Sequence, residues 1–250
     1  MAMKMTKNNI AMEVTKIRSL KSAFTIIEAL LVIFVVVALI SGIYFAKKTI
    51  KENDVKSLIM QIKKYDAALN NFTEKYHALP GDIQSTAIYG ITENVTDGNG
   101  DNIITDRIGS NISANKEITN FWLHLSKSKM LDENYDGKED EEAMVGTTFP
   151  TSKIGEKVGI VAFGAEGKTF YQIGFESSSS DRIYTKNRTL KTDEALLLDT
   201  KIDDGYPQKG RVVAAGGDAL NILQNAECVK FNEYNQSAVS PVCQMRIEVR

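Results

Sequence analysis

The chain has 250 residues, 43% of them hydrophobic and 25% charged, with a net charge of −2. Length allows one or two domains, and composition is that of an ordinary globular protein. The positive charge gathers in the first 23 residues, where Lys4, Lys7, Lys16, Arg18 and Lys21 face Glu13 alone. The rest is acidic and lacks the concentrated basic face of a nucleic-acid binder, so no direct nucleic-acid partner is expected.

The first element in chain order is an apolar run. From Ala29 to Ala46 no residue is charged. With Phe24–Ile27 in front, this run spans roughly the 30 Å hydrocarbon core of a bilayer at about 1.5 Å per helical residue. A cleavable signal peptide needs a small-x-small site just after the run, and "SGIYFAKK" offers none. A single transmembrane helix is the reading. Basic residues flank it on both sides, Lys21 before and Lys47, Lys48 and Lys51 after, so the positive-inside rule does not orient it. Cys228 and Cys243 do, because a pair closing a short loop in a membrane-anchored chain suggests a disulfide in an oxidising compartment. The alternative is two buried thiols. A bridge puts the large C-terminal part outside the cytoplasm and the basic N-terminus inside.

Beyond Lys51 the helical pattern continues as one stripe: Val55, Leu58, Ile59, Ile62, Tyr65, Leu69, Phe72 and Tyr76. Lys56, Lys63, Lys64, Asp66, Asn70 and Glu74 form its polar face. "LPGD" at 79–82 supplies the stop. The spacing predicts one helix over 24–77, about 80 Å long.

The stretch "SA-FTIIEALLV" resembles the N-terminus of type IV pilins and type II secretion pseudopilins. The resemblance covers residues 21–76. It implies that a prepilin peptidase cuts between Ala23 and Phe24 and methylates the new Phe24 amine. Glycine is usual before the cut, and this chain has Ala23. It also implies a role for Glu28, whose carboxylate pairs with the Phe24 amine of a neighbouring subunit and so sets the register of a fibre. "KYHALPGDI" (75–83) and "KIDDGYPQKGRV" (201–212) resemble segments of a pilin-like subgroup. The implied partners are the prepilin peptidase, an inner-membrane assembly platform, the membrane and other pilin or pseudopilin subunits. The rival reading is a single-pass anchored periplasmic binding module that does not polymerise.

In the remaining chain, "EITNFWLHLSKSKML" (117–131) carries an apolar face of Ile118, Phe121, Trp122 and Leu125 and predicts a helix, with Trp122 as a core anchor. "GIVAFG" (159–164) and "TFYQIGF" (169–175) read as a hairpin turning at Glu166-Gly167. "SSSSD" (177–181) reads as a loop. "TDEALLLDTKIDDG" (192–205) opens with acids and stops at Gly205, as a short helix does. "GRVVAAGG" and "CQMRIEVR" read as further strands. Strands after a long helix predict an α+β fold with an antiparallel sheet on the helical stripe, and the resemblance implies the same. The domain plan is a leader at 1–23, the long helix at 24–77 and a globular α+β domain at 78–250.

Two acidic stretches have spacings suited to Ca²⁺. "DENYDGKEDEEA" (132–143) begins like an EF-hand loop: Asp132, Asn134 and Asp136 offer side-chain oxygens and Lys138 a carbonyl. Asp140 or Glu142 completes the shell, and Ala143 stands where a bidentate Glu belongs. "DGNGD" (97–101) offers Asp97, Asn99 and Asp101, with Asn102 in place of the turn glycine. Neither His77 nor His124 belongs to a recognisable catalytic motif, and no enzyme activity is expected. The function expected is that of a processed pilin-like structural subunit, its length and irregular 78–150 stretch pointing to a minor or specialised one.

Overall fold

The structure is a computed structural model that describes residues 25–91, 95–104, 116–139, 143–155, 158–165, 167–175, 189–215, 227–238 and 240–249. The expected leader, the cut at Ala23 and Phe24, the loop 177–181, and Asp140 and Glu142 lie outside them. Helix α1 runs Ile26–Tyr76, α2 Lys116–Lys127 and α3 Thr192–Ile202. Strands are β1 (Gly159–Ala165), β2 (Lys168–Phe175), β3 (Val212–Ala215), β4 (Val229–Lys230), β5 (Glu233–Tyr234) and β6 (Gln244–Glu248).

The chain divides into two compact units, one ending at Ala46 and one from Lys47 to Arg250. The second half of α1 therefore belongs with the globular domain, which begins inside the helix and not at residue 78. That follows from its stripe: Val55, Leu58, Ile62, Tyr65, Leu69, Phe72 and Tyr76 are all buried. Each such side chain contributes roughly 1.5–3 kcal/mol when fully buried. His77 ends the helix with a φ of 54°, a left-handed residue at the position the sequence marks as the stop.

Among the described residues the main sheet is antiparallel, in the order β1-β2-β6-β3. The hairpin expected at 166–167 is there, with Ala165 opposite Lys168. One face carries Ile160, Ala162, Tyr171, Ile173, Val212, Ala214, Met245 and Ile247, all buried in the core that α1 enters. Tyr65 of α1 meets both Trp122 of α2, centroids 4.9 Å apart, and Tyr171 of β2 at 6.2 Å. Edge-to-face rings at these distances are favourable beyond their area alone. On the other face Arg246 lies over the Phe163 ring at 5.1 Å.

Asp66 adds to the sequence reading. On the polar face of α1, it is held by a partner the sequence does not indicate: it accepts from Arg211 Nη2 at 2.6 Å, and Arg211 Nε donates to the Glu248 carbonyl at 2.7 Å. The two side chains are only 15% and 13% exposed. One guanidinium thus ties the long helix to the last strand. Removing either partner strands a charge, at a cost of about 3–5 kcal/mol.

Sequence reading also misses β4 and β5, because a two-residue strand has no periodicity to detect. Their turn, Phe231-Asn232, holds both residues at positive φ, 53° and 64°. Such a conformation costs a side-chain-bearing residue roughly 1–3 kcal/mol and persists only where the surroundings enforce it. They do so here. A disulfide joins Cys228 to Cys243, with Cα atoms 5.1 Å apart. The Asn235 N–H donates to the Cys228 carbonyl at 2.7 Å, and Tyr234 Oη donates to Asp199 Oδ2 of α3 at 2.7 Å. Cys243 exchanges backbone hydrogen bonds with Leu190, so the bridge fastens the hairpin to the segment leading into β6.

Closing a loop of 15 residues removes about 3 kcal/mol of unfolded-chain entropy. Cys228→Ser or Cys243→Ser should therefore lower the stability of the full chain in detergent by about 2–5 kcal/mol. An unchanged melting midpoint in either variant would remove the bridge from the forces that hold the C-terminus.

Candidate functional site

The first turn of α1 sets up the expected assembly residue. Thr25 stands just before the helix, and its Oγ1 accepts the Glu28 N–H at 3.3 Å, while its carbonyl accepts the Ala29 N–H at 3.1 Å. Thr25 is thus the N-cap and Glu28 the third helical residue, half of a capping box. The sequence carries this signal as T-x-x-E ahead of an apolar run, overlapping the segment that resembles a processing signature. Glu28 also places a carboxylate in the first turn, where the helix dipole favours it.

What surrounds Glu28 is apolar and uncovered. The large side chains from Ile26 to Phe45 range from 45% exposed at Val35 to 83% at Ile26. This part of α1 is long and apolar enough to cross a membrane. Ser41 keeps its hydroxyl within the helix by donating to the Val37 carbonyl at 2.8 Å. Glu28 is the one charged side chain between Thr25 and Ala46. In an apolar medium a lone carboxylate costs up to about 3 kcal/mol, and a cation from outside the helix relieves that cost.

At the other end of α1 the "LPGD" segment does more than stop the helix. The Asp82 carboxylate is buried and accepts three N–H groups, from Gly100 at 2.6 Å, Asp101 at 3.2 Å and Asn102 at 2.7 Å. Gly98 lies so close that a Cβ there would sit 2.4 Å from the Asp82 Cα, which only glycine avoids. Asp97 and Asp101 also face the protein's own donors: Asp97 accepts from Thr86 N and Oγ1, and Asp101 from Ile103 N. Glu117 of α2 accepts the Asn99 N–H at 3.0 Å. The 97–102 stretch is a folded polar joint between α1 and α2.

His124 closes that joint. Its Nδ1 accepts the Gly81 N–H at 2.8 Å, so the ring proton is on Nε2, which faces the Thr96 carbonyl at 3.2 Å. Burial lowers its pKa to about 4. Burial also raises the Asp82 carboxyl above the ordinary range, against the hydrogen bonds it accepts.

The 132–139 segment places its acids apart. Glu133 takes Lys64 of α1 at 2.6 Å, and Asp136 accepts from Thr148 Oγ1 at 2.7 Å and the Lys138 N–H at 3.2 Å. Asp132 and Asn134 are exposed. Gly137 has the positive φ of 64° expected of the turn glycine. The carboxylates that do converge among the described residues are Asp199, Asp203 and Asp204, which sequence reading did not single out. They too serve the backbone. Asp199 accepts from Tyr234 and from the Gly205 N–H, Asp203 from the Arg211 and Val212 N–H groups, and Asp204 from the Tyr206 N–H. The "KIDDGYPQKGRV" segment is therefore a second joint, between α3 and β3. Burial raises the Asp199 carboxyl to about 6.

His124 and Asp199 oppose each other in acid. His124 binds its proton more weakly folded than unfolded, so its contribution is whole above pH 6.5 and is lost as pH falls towards 4. At about 1.4 kcal/mol per pKa unit, the loss amounts to roughly 3 kcal/mol. Asp199 is the reverse case, favouring the fold below its unfolded pKa and losing that advantage as pH rises through about 6. Asp199→Asn should remove its share of the opposing effect, leaving that of Asp82, and steepen the fall in melting midpoint between pH 6.5 and 4. A flat profile in that variant would mean that His124 does not lock the joint.

Compared with protein-family models, curated proteins and solved structures, the chain finds no match. What stands is an α+β protein with an N-terminal helix able to span a membrane once and a disulfide-closed C-terminal hairpin.

Proposed function

We propose that the chain is a pilin-like structural subunit, a minor pilin or pseudopilin, that polymerises through α1 into a type IV pilus or type II secretion pseudopilus. The observation that carries this reading is Glu28: a single carboxylate in the capped first turn of an apolar helix whose large side chains stand exposed. Processing between Ala23 and Phe24 creates an amine at Phe24, just ahead of the Thr25 cap and four positions before Glu28 in the sequence. In a staggered fibre the Glu28 carboxylate meets the Phe24 amine of a subunit already in place, and the pair neutralises two charges that apolar surroundings disfavour. The apolar surface moves from lipid to a fibre core made of the same segment of other copies. The subunit waits in the inner membrane with its N-terminus in the cytoplasm and the disulfide-bonded unit outside. The prepilin peptidase and the assembly platform are its partners there.

N-terminal sequencing and mass analysis of the membrane form provide the first test. A chain beginning at N-methylated Phe24 is the expected result, and an intact Met1 would leave an anchored module that does not polymerise. Glu28→Leu should insert in the membrane at least as well as the parent yet be depleted about ten-fold or more from sheared filaments, the loss expected when a buried charge is left unpaired. Parental amounts of that variant in filaments would sink the pairing.

A further inference from the structure

Among the described residues outside the membrane segment, Phe231 is the most exposed large apolar side chain. It sits at the apex of the β4–β5 hairpin, is 89% exposed and has a φ of 53°. The disulfide at Cys228, the Asn235–Cys228 backbone bond and the buried Tyr234–Asp199 bond hold that apex in place. An aromatic ring on a rigid support loses little freedom on docking, which is the character of an interface anchor. Its neighbour Lys230 places its ammonium 5.5 Å over the ring, so the apex presents an apolar surface and a positive charge together.

The same chain carries a surface of the complementary kind. A groove of about 350 Å³ between α1 and α3 has an apolar floor of Leu196 and Leu197 and is edged by Thr200. Glu52, Asp193 and Glu194 form its rim, and Lys51 is committed to Asp193 at 2.9 Å. Gln236, two residues beyond β5, also lines it. With its ring almost fully exposed, Phe231 does not enter the groove of its own chain.

We infer that Phe231 and Lys230 of one copy dock into the α3 groove of a second copy, the ring on Leu196 and Leu197 and the ammonium against the acidic rim. Charge complementarity selects this occupant: the groove is apolar within and acidic at its edge, and the apex is apolar with a cation beside it. The contact is heterologous, joining one surface to a different one, as an open assembly requires. It rests on the filament reading above, which brings copies together.

The test uses the full chain in membranes, as two differently tagged forms made together, with the photo-reactive residue p-benzoylphenylalanine at the exposed position Thr200. Irradiation should yield a product bearing both tags, joined through residues 227–238 of the second copy. Phe231→Gly should reduce that product about ten-fold or more, as loss of an interface anchor does, and leave the melting midpoint unchanged or higher, since glycine suits the positive φ. Lys230→Glu should reduce it several-fold, and Glu52→Lys in the same chain should restore it. Absence of the two-tag product, joining through another segment, or persistence of the product in Phe231→Gly overturns the contact. If the product forms in membranes and no filaments can be sheared from cells, the contact stands and the filament reading falls. If filaments form without the product, the filament reading stands and the contact falls.

Discussion

The buried stripe of α1 is the constraint on which the compact unit depends. From Val55 to Tyr76 it supplies one wall of the core, and Trp122, Tyr171 and the inner face of the sheet supply the others. A helix that forms one wall of such a core has to be fixed against sliding and rotation, because apolar contact alone is non-directional. Polar contacts fix it. Arg211 holds Asp66 near the middle, Glu133 holds Lys64, and Gln61 donates to the Thr151 carbonyl while its own oxygen takes the Lys153 N–H. Each reaches α1 from a different part of the chain, so the helix is pinned over the turns from Gln61 to Asp66.

A related need explains where the acids went. A chain with long irregular segments exposes many backbone N–H groups that no strand or helix satisfies. Aspartate suits that need, with two short-range acceptor oxygens, and Asp82 and Asp203 each serve more than one donor. A carboxylate receiving two or three such bonds tolerates burial, although desolvation still pushes its pKa up, as at Asp82. The acids near glycines in this protein mark places where loops are pinned to helices.

Much of the fold was legible in the sequence because periodicity reports burial. The stripe of α1, the apolar face of α2, the β1–β2 hairpin and the start of α3 follow from spacing and turn residues, whereas α3 ends at Ile202 and not at Gly205. The stop of α1 at His77, set by "LPGD", falls where the pattern indicates. What was not legible is tertiary. Asp66 looks like any solvated helix residue until Arg211, 145 positions away, is brought to it. The β4–β5 hairpin is too short for a pattern and exists because a disulfide and Asp199 hold it. The "DGNGD" spacing suits a cation as well as it suits a loop whose acids bind the chain's own N–H groups, since both present positive charge to the same oxygens. The Thr25 cap differs from these, since T-x-x-E ahead of an apolar run is a local signal.

Thr25 and Glu28 join the start of the fold to the proposed assembly. A helix that starts in an apolar medium has three or four N–H groups with no water to receive them, so its first turn needs acceptors of its own. Thr25 supplies one through its hydroxyl. Glu28 adds negative charge at the end where the N–H dipoles point, which lowers its cost there relative to any later position. Four residues further along, the same carboxylate would sit deeper in the apolar run without those N–H groups. Its place in the first turn is therefore the position at which this helix best tolerates an ionised group.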